Sequence, residues 1–454
     1  MRVTNAQPSS HPASRIDPRL IWAIALPAMA TNVATALIGI GDIWVVGRLG
    51  DVAAQGAVDV GAKLFALLFT VMNFLKTGTT GLVAQDRGTA SAQAETLVRA
   101  VIIGLVIAAG LLALKPLIVP LGVEALGAEG RVAEAARTYI DIRYWAAPAV
   151  FANLAFMGLL IGRRQMRAVL VIEVLYNAAN IVLGLLFVLV LNTGIAGIGW
   201  SSLIAEYGKL LMVAVYALRG ETARHVRRAL ADKGALAWAK FRPLLALNGD
   251  LFLRSLILAL AIASLTRVGA GYGPVPLAAN GILFQIFIFS ALLIDGFENA
   301  AQVLNGERFG ARDRAGFMKS MRMILWRGLA VSALVAAFFA VLGGPILRSF
   351  AATPEVAAFA QAHLIWLVLV PMTGVISFVF DGVFIGASWT RAMLMSMAAA
   401  ACVYALSIWL SAPMGNHGLW MSFNIFLLAR AGFQALLIPR LAARTMADRV
   451  DRET

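Results

Sequence analysis

Twelve long apolar runs, separated by short polar or basic connections, dictate most of what this chain can fold into. They fall at about 20–46, 58–84, 98–121, 138–162, 168–190, 194–218, 243–266, 277–305, 323–347, 360–386, 392–411 and 417–438. At about 1.5 Å of rise per helical residue, each crosses or nearly crosses a hydrocarbon layer about 30 Å thick. No water is present there to satisfy backbone N–H and C=O groups, so the runs must be helices. Sixty per cent hydrophobic residues, 14% charged and a mean hydropathy of +0.82 exclude an ordinary soluble domain. The expected fold class is an all-α integral membrane protein with twelve transmembrane helices. The first run is too long for a signal-peptide core and is kept as a mature helix.

The formal net charge of +14 does not point to nucleic acid, because the charges gather on one face. If the N-terminus is cytoplasmic, 26 of the 38 Lys and Arg residues lie at the inner face and seven in the outer loops. Such asymmetry predicts both termini in the cytoplasm. The stretch 219–242, RGETARHVRRALADKGALAWAKFR, reads as a basic surface helix suited to anionic headgroups. The single cysteine, Cys402, and four scattered histidines offer no disulfide frame and no metal site, so no cofactor is expected.

The two halves repeat. Gly158, Gly162, Arg167 and Ala168 recur as Gly382, Gly386, Arg391 and Ala392, each displaced by 224 positions, and Pro148 recurs as Pro371. Gly88 is matched with Gly310, and Gly197, Ser201 and Lys209 with Gly418, Ser422 and Arg430. A nearly constant shift predicts two six-helix lobes of the same sense. The expected organisation is a disordered leader over 1–18, an N-lobe over 19–218, the connector 219–242, a C-lobe over 243–440 and a tail over 441–454.

Ionisable groups inside the runs mark the candidate site, since lipid offers them no partner. Asp42 stands in the first run with no adjacent cation, fifteen positions after Pro27, which removes a backbone hydrogen bond and gives the helix a flexible point. Asn153, Asn177 and Asn180 follow in the first half, with Glu173 two turns before Asn180. In the second half Asp295, Glu298, Asn299 and Gln302 fall at i, i+3, i+4 and i+7, one polar stripe along a helix. Asp250 with Arg254 and Glu206 with Lys209 read as local ion pairs at helical spacing. Lys209 and Arg430, equivalent in the repeat, are expected to hold each half together.

These residues, with FLKTGTTGLVAQ, YIDIRYWAAP, NGDLFLRS, LAAN and DGFENAAQVLNGERFGARD in order along the chain, resemble the multidrug and toxic compound extrusion transporters, in particular their bacterial DNA-damage-inducible F branch. The resemblance implies two lobes around a central V-shaped cleft, in a bacterial inner membrane. It implies export of amphiphilic, mainly cationic compounds in exchange for protons or sodium ions, with no enzymatic chemistry. Residue by residue, it places the first-helix acid on Asp42, the helix-bending proline on Pro27 and a fifth-helix asparagine on Asn180. The branch's second acid, four residues further on, is Gly184 here, and Gln302 stands where the eighth helix usually has an acid. The expected cavity is Pro27, Asp42, Asn153, Asn177, Asn180, Gly184, Asp295, Glu298 and Gln302, with Glu173 as a further ion-coupling group, in a monomer without nucleic-acid partners. Two alternatives stay open: a flippase of the same superfamily moving a lipid-linked saccharide, and an intramembrane transferase.

Overall fold

The computed structural model describes residues 17–47, 52–65, 68, 71–351 and 353–446; the side chains of 35–47, 52, 55 and 71 are outside that description. Most of the expected leader and much of the tail are therefore outside the described residues. The helices run in order as α1 (Pro18–Gly47), α2 (Val52–Phe65), α3 (Phe74–Gln85), α4 (Ala90–Ala125), α5 (Gly130–Arg143), α6 (Ala147–Gly162), α7 (Met166–Leu185) and α8 (Gly194–Ala217). The short α9 (Glu221–Ala231) is followed by α10 (Trp238–Ala270), α11 (Pro274–Gly310), α12 (Arg314–Phe350), α13 (Pro354–Ala362), α14 (Leu364–Gly386), α15 (Thr390–Ser411) and α16 (Asn416–Thr445). Several transmembrane runs join two helices: α2 with α3, α5 with α6, and α13 with α14. Among the described residues, 10 stretches are long and apolar enough to cross a membrane. With α1 and the α2–α3 run beside them, the set is consistent with the expected twelve. The basic connector forms α9, as its amphipathic sequence predicts.

The backbone carries the repeat more sharply than the residue types do. Left-handed residues end equivalent helices in the two halves: Gly88 and Arg312, Arg164 and Ser388, Gly194 and Gly415. These turns correct one match made from sequence, since Gly88 is equivalent to Arg312 and not to Gly310. Three of the six are not glycine, Arg164, Arg312 and Ser388, so the turn is set by the surrounding helices as well as by local freedom at φ > 0.

Three hydrophobic cores give the molecule its shape. One combines both halves and collects the start of α1 (Ile21, Ile24), the inner ends of α3, α6 and α7, and the end of α16 (Ala442, Met446). We call this side the terminal face. Towards the opposite face the cores separate: Val58, Leu64, Tyr139 and Val188 belong to the first half alone, and Leu265, Phe287, Trp420 and Phe426 to the second. The two six-helix lobes thus share packing at the terminal face and diverge from it, which is the V-shaped cleft.

Close approach at the seam depends on glycines. A Cβ on Gly81 would stand 2.6 Å from the Ile385 carbonyl, and one on Gly296 2.6 Å from that of Ala25. Within the C-lobe, a Cβ on Gly382 would collide with the Glu298 carbonyl and lie 2.9 Å from the Ala301 methyl. Overpacking of this kind costs about 1–3 kcal/mol. Gly382→Val is therefore expected to melt on the order of 5 °C below the wild type in detergent. Gly208→Ala, where an added Cβ meets nothing within 4 Å, should melt within error of it.

Candidate functional site

The long, unbroken α11 lies along the seam and presents the stripe seen in the sequence. Asn32 on α1 donates through Nδ2 to Asp295 Oδ2 at 2.7 Å and to the Leu292 carbonyl at 3.1 Å. Asn299 Nδ2 donates to the same carboxylate oxygen at 3.0 Å. One turn further, Gln302 Nε2 donates to the Thr77 carbonyl of α3 at 2.6 Å. Two members of the stripe therefore reach across to the N-lobe. The third polar position, Glu298, is half-buried.

Behind Glu298 lies a buried charge network within the C-lobe. Asp381 of α14 has no exposed surface; it accepts from Arg254 of α10 and Arg430 of α16, while Gln434 Nε2 donates to Oδ1 at 2.6 Å. Asp295, Asp381, Arg254 and Arg430 all act electrostatically on Glu298. Three carboxylates thus stand against two guanidiniums. Two of the carboxylates are held by donors, whereas Glu298 has neither a hydrogen bond nor an ion pair among the described residues.

The N-lobe has its own network. Lys209 of α8 pairs with Glu173 of α7 at 2.7 Å and lies 4.7 Å from the centre of the Tyr176 ring. Asn153 Nδ2 donates to Glu206 Oε1 at 2.8 Å, and Tyr176 lies close to the same carboxylate. Two expected local pairs are thereby corrected. Lys209 pairs with Glu173 and not with Glu206, three residues away on its own helix. Arg254 pairs with Asp381, and Asp250 turns to Arg391 at 3.2 Å and Thr390 at 3.3 Å. In both cases a carboxylate on a neighbouring helix satisfies the cation more directly than helical spacing allows. Lys209 and Arg430 do hold their own lobes, each through a carboxylate of that lobe.

The other expected site residues are distributed as follows. Asn177 donates to the Ala34 carbonyl at 3.2 Å, tying α7 to α1, and Asn180 is buried one turn beyond it. Gly184 is buried at the end of α7, just before a π-helical turn over Leu186–Val190. Pro27 lies inside α1, and its carbonyl accepts from the Thr31 hydroxyl at 2.8 Å. Asp42 lies on the described helix, but its side chain is outside the described set.

The turns at the terminal face supply a cross-lobe clamp that sequence reasoning missed. Glu307 at the end of α11 accepts from Arg87 and, through both oxygens, from Arg164. Gln85 Nε2 donates at 2.7 Å to both the Gly386 carbonyl and the Ser388 hydroxyl. A signal was available, since Gln85, Arg87, Arg164 and Glu307 all adjoin the repeated turns.

The MatE family profile matches residues 27–186 and 251–410, two stretches of equal length displaced by the same 224 positions as Gly158 and Gly382. The chain belongs to the MatE family. It is 34% identical over 420 residues to the DNA damage-inducible protein F of Escherichia coli (strain K12), covering 91% of this chain and 90% of that one. In fold it is similar to MATE crystallised in a bent conformation, with a TM-score of 0.83 and 19% identity over 94% of this chain and 96% of that one. A multidrug resistance MATE family transporter of the MOP superfamily, in an outward-facing conformation, matches with a TM-score of 0.82 at 18% identity, covering 94% and 96%. MatE proteins are transporters and not enzymes, and they need no cofactor. As a member, this chain is a multi-pass membrane transporter.

Within this MatE chain, the Asp381 network makes a stability prediction. Removing one partner of a buried ion pair costs about 3–5 kcal/mol, because the remaining charge is left without compensation. Asp381→Asn should therefore lower the melting temperature or yield aggregated protein on size exclusion. Combining it with Arg430→Met should recover part of the loss; a double variant less stable than Asp381→Asn would show that Arg430 acts through packing alone.

Proposed function

We propose that this transporter exports amphiphilic, mainly cationic compounds by proton antiport, alternating between two arrangements of its lobes. The observation that carries the reading is Glu298, a carboxylate on the seam-lining helix with no hydrogen-bonding partner among the described residues, whose charge leaves its network, otherwise two acids against two bases, with one acid in excess. In a low-dielectric site such an excess favours uptake of one positive charge, either a proton or a cationic substrate, so the two compete. Asp42 is proposed as the matching group of the N-lobe, from its isolation in the first helix and its place after Pro27. Glu173, held by Lys209, is a weaker ion carrier than the sequence suggested. Gly184 supplies no ligand, which favours a proton over a sodium ion needing several oxygens.

The terminal face is proposed to be cytoplasmic, from its excess of cations. The clamp of Glu307 with Arg87 and Arg164 then closes the cytoplasmic side while the cleft opens outward. The same orientation lays α9 on the inner leaflet, where exposed Arg224, Arg227 and Arg228 meet anionic headgroups. We assign the lobes to 19–218 and 243–440.

The test is exchange of ethidium in proteoliposomes, driven separately by a pH gradient without sodium and by a sodium gradient at fixed pH. The pH gradient alone should drive the wild type, and Glu298→Gln or Asp42→Asn should lower that rate at least tenfold at matched insertion. Driving by sodium alone, or wild-type rates in both variants, would overturn the assignment.

A further inference from the structure

A cavity of about 720 Å³ lies between the lobes, with no residue of the α11 stripe in its lining. Its walls come from α3 and α4 on one side and from α10 on the other, with Phe74, Ile103, Trp238, Phe241 and Phe252 among them. Phe74 and Phe252 meet edge to face across the seam with ring centres 6.2 Å apart, within the range of about 4.5–7 Å for aromatic pairs. Trp238, at the terminal-face end of α10, is 71% exposed, as an interfacial anchor is. The cavity therefore runs from that interface into the membrane.

Deep along the wall lies Asn248, which is 3% exposed. Neither its Nδ2 nor its Oδ1 has a hydrogen-bond partner among the described residues. A buried amide in that state costs about 1–3 kcal/mol for each unmet group. Hydrocarbon cannot satisfy it, and no charged side chain among the described residues lines the space. Next to it, Gly249 borders open volume: a Cβ there would meet nothing within 4 Å. The size matches the range of about 300–1,000 Å³ typical of small-molecule sites, and the lining has their composition, apolar and aromatic with one polar group.

We propose that this cavity is a second binding site, for a neutral aromatic amphiphile taken from the leaflet at the terminal face. Its rings pack on Phe74, Phe241 and Phe252, and the Asn248 amide, whose polar atoms are closed off against α3 in the empty cavity, turns to a polar group of the ligand. A cationic compound is disfavoured, since nothing in the wall compensates its charge. This separates the site from the acidic stripe in which cation exchange is proposed.

The probe is N-phenyl-1-naphthylamine, a neutral aromatic amine with one N–H, bound to the full chain in nanodiscs without any ion gradient. Energy transfer from tryptophan should show a saturable component above linear partition into lipid. Gly249→Phe, which adds a ring at a cavity-lining position where a Cβ meets nothing within 4 Å, should abolish that component. Asn248→Leu should weaken binding about tenfold, and Glu298→Gln should leave it unchanged. A wild type with partition only, or saturable binding retained in Gly249→Phe, would overturn the site. Because no gradient is used, failure here leaves antiport untouched, and failure of antiport leaves this site standing.

Discussion

The pairing of Asp381 with Arg254 and Arg430 is the interaction on which the C-lobe depends. A carboxylate with no exposed surface is tolerable in a membrane protein only if donors surround it, and here three side chains on two other helices do so. Its geometry fixes α10, α14 and α16 relative to one another at the level where hydrophobic packing alone would let apolar helices slide. The N-lobe solves the same problem with Glu173, Lys209, Glu206, Tyr176 and Asn153. Equivalent positions, Lys209 and Arg430, supply the cation in each half.

These networks free α11 to act between the lobes. It touches α1 through Asp295 and Asn32, α3 through Gln302 and Thr77, and the turns of the N-lobe through Glu307. The contacts differ in kind along its length. Near the terminal face they are charged and multiple. Towards the middle they are single amide bonds beside an unbonded acid. The unbonded acid and the clamped end thus lie on one continuous helix.

The fold was legible in the residues because bilayer crossing imposes a length and a composition that few other folds share. The repeat was legible because glycines recur where helices touch, though the turn at Gly88 shows how residue identity misplaces a match that backbone conformation corrects. The stripe at 295, 298, 299 and 302 was legible from helical periodicity. Less was readable of the partners. Asp250 with Arg254 and Glu206 with Lys209 fit the spacing of a helical pair, yet each bonds elsewhere.

The sequence by itself determined that this chain spans a membrane, that its halves correspond, and which of its polar groups lie at membrane depth. Those properties follow from local quantities: apolar length, spacing along one helix, and charge outside it. Only the tertiary structure decided which acids are neutralised and which is left over. Asp381, alone in its apolar run, and Glu298, one of a polar stripe, are both acids with no cation at helical spacing in sequence, but one is enclosed by guanidinium groups from other helices and the other is not. Compensation depends on distances of a few ångströms between residues that are 49 to 127 positions apart. No pattern along the chain encodes them until the helices pack.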